Sequence, residues 1–451
     1  MGRHATQMTT QMTAPAGGGN LKVVPPASGA PQLPPPEVMR LSCLLGGPVT
    51  DQSGGRAGRL VDVIVRLGRN RHPPLSGLVV QLGGEDRFVH IEDVSTLDCD
   101  GSTLRIGAGR LGPFERRRGE MLLSRDVAAR HLIDVTRARL VRANDIELAR
   151  VEGRWEVTGV DPSSRPVLRR MLPRRIRRHV HGGTIVDWAD IEPFVGHVPT
   201  AQLRIPFRKL ARLHPAQLAD LVEAASSEEG EELIRAVGAD RELEADVFEE
   251  LEPERQVELL RSRSDEEAAR LLGAMAPDDA VDLLVELEQA RRLPILERMP
   301  APAQARMRDL MSYNPETAGG LMNPDFVAVP YKSTVADALE TVRESKVPPE
   351  AAGVVFVTDD SGCLRGTVLL VDLLRASPGA LVVAVARPGP VSLPPDADVH
   401  DVVRKMTDFN LAVAPVVGAD GRILGQITVD DVLELLLPSG WRRQYGMTAP
   451  D

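Results

Sequence analysis

The chain has 451 residues, 64 of them acidic and 54 basic, for a formal net charge of −10. That length predicts roughly three or four domains of ordinary size, and with 3% aromatic residues their cores must rest on Leu, Val, Ile and Ala. Cys43, Cys99 and Cys363 occur without a CxxC or a nearby His cluster, which argues against a disulfide framework and a zinc site and suits a reducing cytosol.

No N-terminal stretch has the apolar region of a signal peptide. The longest clean apolar run, Ala380–Ala386, falls far short of the ~20 residues that span a bilayer. The expectation is a cytoplasmic protein, or one peripheral to a membrane. Charge is uneven along the chain: roughly +11 over residues 1–212, about −14 over 213–312 and about −7 thereafter.

Residues 1–37 are rich in Gly, Pro, Thr, Ala and Gln, with Pro25-Pro26 and Pro34-Pro35-Pro36, and read as a disordered tail. From Arg40 strand-like runs alternate with Gly turns, at Arg59–Val65, Gly77–Leu82, Arg87–Ile91 and Thr103–Ile106, the signature of a small β-barrel. "Pro-Val-x-Asp…Gly-x-x-Gly-x-Leu-x-Asp-Val" resembles a PRC-barrel domain, here over 38–115. Residues 116–200 read as a second PRC-like unit, from Leu122–Val127 to Trp155–Asp161, with a connector. Its Arg169–Arg178 stretch has no aromatic interleaving, so a solvated basic surface is expected rather than a nucleic-acid site. Val180-His181-Gly182-Gly183 reads as an ordinary turn.

Residues 201–322 turn helical. Candidate starts recur at His214-Pro215, Ser227, Asp240, Pro253, Asp265, Pro277, Ala290 and Pro302. Proline in a first turn removes an N–H that had no partner there, and Ser264 with Glu267 has capping-box spacing. Helices this short must stack on one another, which predicts a superhelix. Two related units then follow, 323–387 and 388–438, with a tail at 439–451. Val327-Ala328-Val329-Pro330 matches Val391-Ser392-Leu393-Pro394, and Asp360-Ser361-Gly362 precedes a strand as Asp420-Gly421 does. The repeats drift by about five residues, placing an insertion near Pro348-Pro349 in a surface loop. Each unit reads strand, helix, strand, strand, helix, the pattern of a CBS-domain pair.

No GxSxG, P-loop, HExxH or GxGxxG before a helix is present, so an enzyme is not expected. Met275-Ala276-Pro277-Asp278-Asp279-Ala280-Val281-Asp282-Leu283-Leu284 and the junction Leu310–Met322 resemble the soluble N domain of MgtE-type magnesium channels and its link to the CBS pair. Asp278 and Asp282 are i, i+4 on a helix, and Asp279 and Asp282 are i, i+3, so like charges share a face. A hard divalent cation relieves that repulsion, and Mg²⁺ keeps several waters. The resemblance implies that Mg²⁺ bridges these residues to Asp431 and Glu434 at the end of the second CBS unit, with Asp279 facing Asp431. Asn410 stands where some relatives carry a carboxylate, and Pro438–Arg443 is basic where the channels have an acidic plug helix. Thr428-x-x-Asp431 also fits the CBS signature that holds the ribose of an adenine nucleotide; the first unit keeps Asp372 but has Leu369 at the Thr position. The resulting expectation is a multidomain chain: a small β-barrel region, an all-α short-helix superhelical domain and an α/β CBS-domain pair. It would be a non-enzymatic, Mg²⁺-responsive regulatory protein and, by analogy, a homodimer through the CBS pair. The alternatives are an accessory soluble subunit of a membrane transport protein and an adenine-nucleotide sensor.

Overall fold

Short β-branched runs broken by Gly and short helices opened by Pro, Ser or Asp dictate the architecture from end to end. The computed structural model describes residues 37–66, 70–163, 184–194, 210–349 and 351–437, with the Glu434 side chain left out. The Arg169–Arg178 stretch, the Val180–Gly183 turn and the 439–451 tail lie outside those residues, as do residues 1–36.

The strand-rich region opens with an exchange of segments. One sheet runs, in spatial order, through Val94–Thr96, Ser102–Leu104, Pro48–Asp51, Arg56–Arg66, Leu75–Leu82, Glu85–His90 and Gly112–Pro113. Its long Arg56–Arg66 strand also pairs with Glu120–Leu122, which belongs in sequence to the second unit. Reciprocally, Val38–Arg40, at the start of the first unit, pairs with Asp145–Val151 of the second. Each crossing ends in a turn whose backbone donates to a buried Asp of the other unit. Ser124 and Arg125 give their N–H groups to Asp62 at 2.7 and 3.1 Å, and Ser42 gives its N–H and its hydroxyl to Asp145 at 3.0 and 2.5 Å. The two units thus share one apolar core, from Leu41 and Val63 to Ile146 and Trp188.

That exchange also corrects the cysteine reading. Cys43 and Cys99 are joined in a disulfide, with Cα atoms 5.1 Å apart. Parallel pairing of Pro48–Asp51 with Ser102–Leu104 brings together two segments that the sequence keeps apart, and neither cysteine carries a local signal of this. Cys363 is free.

The eight expected helices form at Pro215–Ala224, Ser227–Val237, Arg241–Glu249, Pro253–Arg261, Asp265–Leu272, Pro277–Glu286, Gln289–Arg298 and Ala301–Leu310. Ser264 and Glu267 make the reciprocal capping box, and His214 with Gln217 and Ser226 with Glu229 make two more. The core of this block is continuous in both directions. Ile133 and Phe194 enter it from the strand-rich side, and Leu393, Val402, Val416, Ile427 and Val432 from the second CBS unit.

The first CBS unit follows the expected order, opening on Ala328–Pro330; in the second the opening strand is reduced to a bridge from Leu393 to Val416. The helices Val335–Glu344 and Val399–Asp408 precede the hairpins Val354–Thr358/Leu364–Leu369 and Val413–Val417/Ile423–Thr428. The helix-to-strand link is 345–353 in the first unit and 409–412 in the second, which accounts for the drift between repeats. Gly362 and Gly421 each turn a hairpin at φ +81°, a conformation that a Cβ disfavours. The two tips meet, Leu364 N–H donating to Gly421 O at 3.0 Å.

Candidate functional site

The junction 317–326 is continuous in sequence with the first CBS unit but packs in space on the second. Ala318 and Gly319 donate to Ala397 O and Pro395 O at 2.7 and 2.8 Å, and Asn323 exchanges backbone hydrogen bonds with Gln426 at 2.8 and 2.9 Å. Gln426 closes the clasp with its side chain, Nε2 donating to Asp325 O at 2.8 Å. This seam brings the start of the Pro277–Glu286 helix against the start of the Val429–Leu436 helix.

Each side of the seam supplies a carboxylate from a first helical turn, where unpaired N–H groups favour negative charge. Asp278 accepts from Asn323 Nδ2 at 3.1 Å. Asp431 accepts the Thr428 N–H at 2.8 Å. The Asp278 carboxyl is pushed up to about 7, first by burial, next by the negative charge of Asp431, with Glu249 adding to it. Glu249 reaches the same place from the preceding turn of the superhelix and accepts the Ala276 N–H at 2.6 Å. Asp431 is itself raised, by burial above all, against the Thr428 hydrogen bonds that lower it, with Asp430 adding to the rise. Asp282 is raised by burial and by Glu286 one turn on.

Asp278 thus faces the negative charge of Asp431 across the seam, in the same helical turn as Asp279, which the resemblance set opposite Asp431. Asp279 lies half-buried in the same first turn, and Asp282 one turn further, where the residue is exposed overall although neighbouring chain crowds its carboxyl. Glu434 is on the Val429–Leu436 helix; its side chain is outside the description. Among the described residues no group of three or more His, Cys, Asp or Glu side chains stands ready to hold a metal directly. Asn323, Gln426 and Glu249 were not singled out from the sequence. Asn323 follows the junction motif by one residue, and its role depends on a strand bridge more than a hundred residues away.

The nucleotide candidates separate. Thr428 is buried against Asp431, while Asp372 is paired with Arg387 at 3.5 Å. No helix among the described residues is long and apolar enough to cross a membrane.

Comparison with known proteins agrees with this division. Residues 213–316 match the MgtE intracellular N domain, and 318–379 and 382–438 match the CBS domain. The chain carries an MgtE N domain followed by a CBS pair. It is homologous to the magnesium transporter MgtE of Thermus thermophilus, 33% identical over 195 residues, and to that of Bacillus subtilis, 26% identical over 192 residues; each alignment covers 43% of this chain and 43% of the relative. The chain thus spans less than half the length of these relatives. Among solved structures, the cytosolic domain of the Mg²⁺ channel MgtE in complex with ATP is 30% identical at a TM-score of 0.48, over 51% of this chain and 94% of that one. The soluble part of a magnesium transporter is 25% identical at 0.48, over 51% and 90%.

Proposed function

We propose that this chain is a Mg²⁺-responsive regulatory protein in which the cation joins the helical block to the second CBS unit. The observation that carries the reading is the Asp278–Asp431 pair, two carboxylates from different domains held in mutual repulsion in a partly buried seam. The donor set fits the ion. Mg²⁺ is commonly held by one or two carboxylates with its remaining positions filled by water, and two acids of raised pKa on facing helix starts provide that chemistry. Asp278 and Asp431 would hold it, with Asp279, Asp282 and Glu434 on the adjoining turns. When bound, Mg²⁺ supplies the positive charge that offsets the two carboxylates. Asn323 keeps Asp278 turned to the seam, and the Asn323–Gln426 clasp keeps the helix starts in register. Without the cation, repulsion favours opening, so the element biased by Mg²⁺ is the contact between domains.

Homology to a transporter's cytosolic part supports a membrane transport protein as partner, and with it a cytoplasmic, membrane-peripheral place. The exposed apolar side chains Leu374, Phe409, Leu433 and Leu436 support a homodimer through the CBS pair. The test is limited proteolysis of the junction during a Mg²⁺ titration. Protection is expected to rise through the millimolar range, and the double variant Asp278→Asn with Asp431→Asn should be protected without Mg²⁺ and indifferent to it. If the unaltered chain is equally cleaved at every Mg²⁺ concentration, the reading is lost.

A second reading rests on Thr428 and Asp431 standing together at the start of the last helix: with Asp372 in the other unit, they would hold an adenine nucleotide. Calorimetry with ATP on the unaltered chain and on Thr428→Val tests it, with binding expected only in the former.

A further inference from the structure

One covalent bond ties the two intertwined units of the strand-rich region together, far in sequence from the acidic seam. Cys43 sits in the single-turn helix Leu41–Leu44, and Cys99 in the loop between Val94–Thr96 and Ser102–Leu104. The Cys43 turn belongs to the segment that crosses to the second unit, where Val38–Arg40 pairs with 147–149 and Ser42 holds Asp145. Cys99 stays with the first unit. The disulfide therefore staples a crossing segment to the unit it leaves.

The reciprocal crossing is anchored differently. Glu120–Leu122 and the turn after it are continuous with described chain on both sides. Arg125, which follows Ser124 as Cys43 follows Ser42, is pinned by ion pairs to Asp86 at 2.6 Å and Asp62 at 3.8 Å. Both crossing strands have three residues, but Glu120–Leu122 is buried throughout, whereas Val38–Arg40 lies on the edge of its sheet with Val38 exposed. So short an edge strand opens readily when only its ladder and the Arg40–Glu147 ion pair, at 3.3 Å, retain it. Cys43 and Cys99 are both only partly covered, so a small thiol can reach them.

We propose that Cys43 and Cys99 form a reversible thiol–disulfide switch that locks or frees the first crossing segment. In the oxidising direction, one cysteine thiolate attacks a low-molecular-weight disulfide, RSSR, forming a mixed disulfide and releasing RS⁻. The second thiolate attacks the protein sulfur of that mixed disulfide and expels the other RS⁻. One S–S bond breaks and one forms, two electrons pass to RSSR, and the two protein thiol protons end on two RSH. A dithiol reverses the sequence. In the reduced form, residues 38–44 are retained by the Val38–Arg40 pairing, the Arg40–Glu147 ion pair, the Ser42–Asp145 bonds and the packing of Leu41 and Leu44.

The test is hydrogen exchange read by mass spectrometry on the full chain carrying Cys363→Ser, which leaves one thiol pair. The protein is oxidised with glutathione disulfide and then reduced with dithiothreitol. The oxidised form should weigh two hydrogens less. Reduction should speed exchange at 38–44 and 147–149 by about tenfold or more, in the manner of a local opening, leave the 56–66/120–122 pairing unchanged, and be undone by re-oxidation. Failure of the bond to form, unchanged exchange at 38–44, or an equal rise at both crossings would overturn the proposal.

Discussion

Asp278 and Asp279 are neighbours in one helical turn, and Asp278 meets the negative charge of Asp431 across the seam. Helical spacing names a shared acidic face; it does not say what a domain docking from outside brings to that face. Here it brings Asn323, whose amide donates to Asp278 Oδ1. Two predictions belong at this scale. A carboxyl whose pKa is raised from 3.8 to about 7 in the closed state holds its proton more tightly there than when open. Closure without metal should thus be firmest below pH 4 and weaken as pH rises through about 7. Junction proteolysis in chelator should be faster at pH 8 than at pH 6, and Mg²⁺ should erase most of the difference. Asn323→Ala should leave the fold intact, since its backbone bridge to Gln426 persists, yet shift the Mg²⁺ midpoint upward by roughly threefold to tenfold, as expected for losing one hydrogen bond of ordinary net strength.

At the scale of elements, the strand-rich region shows what repetition in a sequence conveys and what it hides. Met39-Arg40-Leu41-Ser42 and Met121-Leu122-Leu123-Ser124 mark the two unit starts, and Asp62-Val63 and Asp145-Ile146 mark the matching strands. The exchange between units is invisible in those strings, because either partner strand presents the same alternating apolar face. The two capping turns also differ in use. Ser42 spends its hydroxyl on Asp145, whereas Asp62 is met by the backbone of Ser124 and Arg125. Ser42→Ala should lower stability by about 1–3 kcal/mol, since a buried carboxylate loses a donor. Ser124→Ala should change it by about 0.5 kcal/mol or less. Urea unfolding of both variants checks the contrast. The short helices were legible throughout, because Pro, Ser and Asp at their starts act locally, and the same locality made the five-residue offset between the CBS units readable as a loop.

For the whole molecule, the decisive fact is that the helical block shares its core with both neighbours. Phe194 is fully buried at the strand-rich end, where His131 also meets Glu229 at 3.4 Å. Phe194→Ala should cost about 3–5 kcal/mol and separate calorimetric unfolding of the strand-rich region from that of the helical block. By itself the sequence determined the order of modules, the helix starts, the CBS repeat and the acidic composition of the site, since periodicity, capping and turn chemistry are properties of a few adjacent residues. Only the tertiary structure decided the crossing of the two strand units, the Cys43–Cys99 bond, the docking of the junction on the second CBS unit and the clasp of Asn323 on Asp278. Each of those depends on which distant surfaces meet, and contacts between residues far apart in the chain leave no pattern in a single sequence.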